Sequence, residues 1–279
     1  MQRLLACLSQ AGFASYPAFM RHALSEETAA RAAQVSTQAA PAEMGRIRQG
    51  LSEVIADQQV MVGDFERLRI LPTNMRILAS RLEPSGGPVG AISDIYLMIS
   101  SDIFAKVGAF ALGEGALCQR MSERFEQAAF LMTCAALQAE VAAQARVEAA
   151  TGALAGSGFE AEAEVACLAD LGLQYHKIAA AALDEAMALA GTIHDASQDL
   201  RRAMLSLETI TVMGRVESAR IGAAGLRIND TINQLHNGNV VIGKRLSNMN
   251  DLARTLTSGM RQIQDVYLHA GPDPRPARG

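Results

Sequence analysis

From Leu51 onward apolar residues recur alternately three and four positions apart. Val54, Met61, Leu68, Met75 and Leu82 lie seven apart, with Leu51, Phe65 and Ala79 at the companion positions. That spacing winds a single apolar stripe along one helix face, the pattern of coiled-coil packing. A second series, Tyr96, Ile103, Phe110 and Leu117, with Ile99, Met121 and Phe125 in its seam, predicts a helix from near Val89 to about Ala150. In a third, Ile193, Leu200, Leu207 and Ile221 share one position and Leu168, Tyr175, Leu189 and Ile210 the other. The fourth is the most regular. It runs through Ile228, Leu235, Ile242, Met249, Leu256 and Ile263, with Ile232, Leu246, Met260 and Tyr267 alongside. Asn239 occupies an inner position of this last series, where a lone polar residue sets register at some cost in stability.

Breaks between the series are few. Glu83-Pro-Ser-Gly-Gly-Pro88, Thr151–Gly158 and Gly222-Ala-Ala-Gly225 are the turn signals, and Pro72 alone of the eight prolines falls inside a periodic stretch. Proline removes a backbone donor and clashes with the preceding turn, so the proline-free span from Pro88 to Pro272 reads as helix. The expected organisation is an N-terminal segment over 1–42 with a short helix near Ser25–Gln38, a helical hairpin over 43–150 with its tip near 83–88, a linker turn at 151–158, a second hairpin over 159–268 with its tip near 222–225, and a disordered tail over 269–279. The fold class expected is all-α: an elongated antiparallel four-helix coiled-coil bundle made of two repeated hairpins.

Composition agrees. Apolar residues make up 49% of the 279 and aromatics 4%, with no Trp, which disfavours a β-fold built on aromatic and β-branched residues. A net charge of -4 leaves no basic footprint for nucleic acid. Cys7, Cys118, Cys134 and Cys167 have no CxxC or Cys/His ligand spacing, so buried reduced thiols and a cytoplasmic setting are expected. No unbroken apolar run reaches the roughly 18 to 20 residues that a membrane span needs, so no transmembrane segment is expected. P-loop, dinucleotide, HExxH and nucleophile-elbow motifs do not occur, and the five histidines are scattered; neither catalysis, a cofactor nor a metal is expected.

The hairpins align when the sequence is shifted by 139: Leu68 falls on Leu207, Leu71 on Ile210, Ile77 on Val216, Arg81 on Arg220, Leu82 on Ile221, Gly86 on Gly225 and Val89 on Ile228. Since 139 is not a multiple of seven, duplication explains this better than heptads alone. Around the tips, Val216-Glu-Ser-Ala-Arg-Ile-Gly222 and Thr73-Asn-Met-Arg-Ile-Leu-Ala-Ser-Arg81 resemble the cytoplasmic signalling tip of methyl-accepting chemotaxis proteins. Glu217, Arg220 and Gly222 match that family's tip Glu, Arg and Gly; Asn74 and Arg81 match in the first hairpin, where Leu78 stands in place of the Glu.

The resemblance implies a non-enzymatic signalling scaffold whose tips bind a chemotaxis-type coupling adaptor or kinase, or another helical protein, with self-association as a further mode. It assigns partner binding to Ile70, Asn74, Arg81, Ala91, Glu217 and Arg220. The family's two groove positions fall on Ile70 and Ala91 in the first hairpin but on Thr209 and Asp230 in the second, and a carboxylate in an apolar groove costs desolvation energy. Paired Glu/Gln methylation sites are not evident, and Ile228-Asn-Asp-Thr-Ile232 departs from the family's pattern. Two other functions remain open: a structural or self-assembling coiled coil, and phosphotransfer by His194 of the His194-Asp195 pair.

Overall fold

A computed structural model describes residues 39–82, 84–111, 116–151 and 161–269, together with Gly12 and His22. The expected 25–38 helix, the 152–158 part of the linker turn and the tail beyond 269 lie outside the described residues. Among the described residues five α-helices follow one another: α1 (Ala39–Ser80), α2 (Gly87–Ala111), α3 (Leu117–Ala150), α4 (Ala161–Arg220) and α5 (Leu226–His269), with a 3-10 turn at Gly222–Gly225. The described residues are helices packed on one another, with no strand among them.

The stripes are where the sequence puts them in α1 and α5. In α1 the buried series is Ile47, Val54, Met61, Leu68 and Met75, flanked by Met44, Leu51, Gln58, Phe65, Pro72 and Ala79. The helix runs unbroken through Pro72. In α5 Ile228, Leu235, Ile242, Met249, Leu256 and Ile263 are buried, and Ile232, Asn239, Leu246, Ala253 and Met260 form the second row.

Two expectations change. The helix predicted from Val89 to about Ala150 is two helices, α2 ending at Ala111 and α3 starting at Leu117. The intervening sequence contains Gly113 and Gly115, each costing a helix about 1 kcal/mol relative to Ala. The inner register also slips there: Cys118, not Leu117, is buried beyond the series Val89, Tyr96 and Ile103. In α4 the second buried row is Leu183, Ala190, Ser197, Met204, Thr211 and Ser218. That is one residue beyond the row of Leu168, Tyr175, Leu189 and Ile210 that the larger side chains suggest, of which only Ile210 is buried. Small residues at inner positions let helices approach closely, and they hide the true row behind the larger apolar residues beside it.

The chain divides into two compact units that cut across the hairpins. One comprises Met1–Ile47, Glu123–Glu185 and Gly259–Gly279; the other comprises Arg48–Ser122 and Ala186–Ser258. In the first, Ala142, Ala145 and Val165 form a buried cluster with Leu168 against it. Arg124 pairs with Glu185 at 2.9 Å, and Gln264 donates to Asp184 at 2.8 Å.

The second unit contains both tips. Ser93 Oγ donates to the Pro72 carbonyl at 2.5 Å, joining α2 to α1. Arg245 on α5 reaches Asp57 at 2.9 Å and Asp64 at 3.2 Å on α1. The phenol of Tyr96 donates to Asn239 Oδ1 at 3.0 Å, tying α2 to α5 inside the core. Burial pushes that phenol up to about 12, although the Asn239 bond pulls it the other way.

Candidate functional site

Each tip begins where a helix runs out of turns. In the first, α1 ends at Ser80, Leu82 N–H donates to the Ala79 carbonyl at 3.0 Å, and Gly86 N–H donates to the Leu82 carbonyl at 2.9 Å. In the second, α4 ends at Arg220, Ile221 N–H donates to the Ser218 carbonyl at 3.2 Å, and Gly222 adopts φ +71°, a left-handed conformation suited to glycine.

The assigned tip residues are surface residues. Ile70, Asn74, Arg81 and Ala91 are exposed, as are Thr209, Arg220 and Asp230; Glu217 is half-buried. Arg220 pairs with Glu217 at 3.0 Å on its own helix. Leu78 stands where Arg81 would need the matching carboxylate, and Arg81 makes no ion pair with a described residue.

Heptad geometry gives these residues a common position. Ile70 and Ile77 on α1, and Ala91 and Met98 on α2, lie midway between the buried rows, at the outermost position of each helix. Such positions are ordinarily polar, yet Ile70 is 61% exposed and Met98 66%. Ile95 adds a further exposed apolar side chain on α2. The equivalent positions of the second hairpin hold Thr209, Val216, Asp230 and Asn237.

Ile70 and Ala91 do not face each other. Arg76 on α1 pairs with Asp94 on α2 at 3.0 Å, which sets Ala91 near the level of Ala79. That is some nine residues beyond Ile70, about 14 Å along the helix. Ile77 lies between them. Its spacing of seven from Ile70, at a position with no inward partner, was the signal available in the sequence. Beyond Thr209, α4 exposes Leu205, Val212, Met213 and Val216.

Asn239 is buried, as its heptad position requires, and Tyr96 is its partner. His194 receives a hydrogen bond on Nε2 from Gln198 at 2.9 Å, in the tautomer that leaves that nitrogen unprotonated, while its Nδ1 is buried. Cys118 is fully buried, and burial pushes its thiol up to about 12; Cys134 is half-buried and Cys167 exposed. No group of three or more His, Cys, Asp or Glu able to hold a metal occurs among the described residues. Among the described residues two stretches, Gly87–Gly108 and Leu117–Ala150, are long and apolar enough by length and composition to cross a membrane. No protein-family model matches the chain, and no match to a curated protein is found.

Proposed function

We propose that the chain is a non-enzymatic, chemoreceptor-like signalling scaffold that works in the cytoplasm and binds a coupling adaptor, a kinase or another helical protein through its hairpin tips. The observation that carries this reading is the apolar outer face of the first tip. Ile70, Ile77, Ala91 and Met98 sit where a helix with no partner would carry charge. The tip sequence Thr73–Arg81 and the departure of Asp230 make the first hairpin the binding one and the second a degenerate copy.

The same reading takes the molecule as a four-helix coiled-coil bundle of two duplicated hairpins. Support comes from the core. Adding 139 to the inner positions of α1 (47, 54, 61, 68, 75 and 44, 51, 58, 65, 72, 79) gives positions 186, 193, 200, 207, 214 and 183, 190, 197, 204, 211, 218 of α4, all buried. It also holds that α2 and α3 span no membrane. Their inner rows are buried against protein, and Asp94, Asp102 and Lys106 interrupt the apolar surface of α2.

Binding of purified chemotaxis-type coupling adaptor and kinase to the intact chain, measured with and without Ile70→Asp, tests the reading; absence of binding by either partner overturns it. Self-association is favoured by a different observation, the exposed α4 stripe Leu205, Val212, Met213 and Val216. Sedimentation of Val212→Glu against the parent chain tests that mode. The geometry lends no support to phosphotransfer by His194: Gln198 donates to one ring nitrogen and the other is buried.

A further inference from the structure

Ser197 on α4 is 1% exposed, and its hydroxyl has no hydrogen-bond partner within the protein. It lines a cleft of about 330 Å³ between α4 and α5, together with Gln198, Arg201, Arg202, Leu246 and Asn250. Asn250 Oδ1 is likewise buried without a partner. A buried hydroxyl and a buried amide oxygen left unpaired each cost free energy, so such a pair calls for an occupant.

The first hairpin suggests what fits. The residues 139 earlier are Gln58 and Ala111, and there Gln58 is 5% exposed and its Nε2 donates to the Ala111 carbonyl at 2.7 Å, with its Oε1 left unpaired. Serine in place of glutamine removes that carboxamide and leaves the cleft. At its mouth Arg202 is held by Asp199 at 3.0 Å, whereas Arg201 makes no ion pair with a described residue. A free guanidinium fork matches a carboxylate.

We propose that this cleft binds a small, amino-acid-sized ligand with a carboxamide at one end and a carboxylate at the other. The carboxamide takes the place of the Gln58 amide, accepting from Ser197 and donating to Asn250 Oδ1, and the carboxylate meets Arg201. The site shares no residue with the tips and does not depend on the tip reading.

Calorimetric titration of the full chain with L-glutamine, glutarate and inorganic phosphate tests it. L-glutamine is expected to bind saturably, with glutarate and phosphate weaker by about tenfold or more, the loss of one or two good polar contacts. Ser197→Gln should refill the cleft with its own carboxamide, abolishing binding without lowering the melting temperature. Arg201→Ala should weaken binding about tenfold with the melting temperature unchanged. Ser197→Ala should weaken it while leaving the cleft open. No saturable binding of L-glutamine, phosphate binding as tightly as L-glutamine, or unchanged binding in folded Ser197→Gln or in Arg201→Ala would each overturn the proposal.

Discussion

Gly86 packs so tightly against the carbonyl oxygen of Ala79 that a Cβ on it would overlap that oxygen. At the other tip Gly225 stands against the carbonyl oxygen of Ser218 in the same way. The two pairs are 139 residues apart, so both turns close by one device: a glycine admits the end of the preceding helix where any side chain would collide with backbone. Backbone cannot swing aside as a leucine terminus can.

Gly86→Ala and Gly225→Ala should therefore each destabilise the protein by about 1–3 kcal/mol, the range for forcing atoms into filled space. Gly63→Ala, within α1 and with open space around its Cβ position, should instead stabilise by about 0.5–1 kcal/mol through helix propensity. Urea unfolding of the three variants checks both signs. Equal effects would remove the tip-packing account.

Much of the fold is legible in the heptads because large apolar residues mark the inner rows of α1 and α5. The α4 row is not legible, because Ala190, Ser197 and Thr211 are inner residues that look like surface ones. The break between α2 and α3 is marked in the sequence by Gly113 and Gly115, but the apolar stripe that continues past them masks it. At the tips, the resemblance points to Ile70 and Ala91; Ile77 and Met98 share their outward position, which is recognisable only once the inward face is known. Asn239 was legible by position; that Tyr96 is its partner was not, since pairing across 143 residues has no local signal.

Tyr96→Phe should cost about 1–3 kcal/mol, because it leaves Asn239 buried without its donor. Asn239→Leu should cost a similar amount by stranding the phenol. The double variant should recover part of the sum, since neither polar group is then left unpaired, and a double-mutant cycle from denaturant midpoints reads the coupling. Additive losses would mean that the two residues do not act as a pair.

High pH should loosen the second unit. Burial raises the Tyr96 phenol from 10.0 to about 12 and the Cys118 thiol from 9.0 to about 12. For acids whose folded pKa lies above the unfolded one, the stability is fully present below the unfolded value and is lost as pH rises through the folded one. Stability should thus be flat below pH ~9 and fall between pH ~9 and ~12. Tyr96→Phe should flatten the part of the fall that begins near pH 10, and Cys118→Ala the part that begins near pH 9. Chemical denaturation across that range measures it.

Thiol accessibility gives an independent check of the core. Alkylation of the folded chain followed by mass spectrometry should label exposed Cys167 first, half-buried Cys134 more slowly, and Cys118 only on unfolding. Early labelling of Cys118 would contradict the burial of the α3 start.

The decisive prediction for function concerns the outer face of the first tip. Ile70→Asp and Met98→Asp change largely exposed positions, so each should alter stability by no more than about 0.5 kcal/mol. If a coupling partner docks there, each should weaken binding by several kcal/mol, because the new carboxylate is desolvated against an apolar surface. Thr209→Asp, at the equivalent position of the second hairpin and already accompanied by Asp230, should leave binding unchanged. Arg81→Glu combined with Arg220→Glu separates charge from apolar contact. Arg220 already pairs with Glu217 on its own helix, so most of the loss should come from Arg81. Binding measured by surface plasmon resonance, with melting temperatures in parallel, distinguishes these outcomes. Losses that track the second hairpin rather than the first would move the docking surface to the α4 stripe and leave the apolar face of α1 and α2 without a binding role.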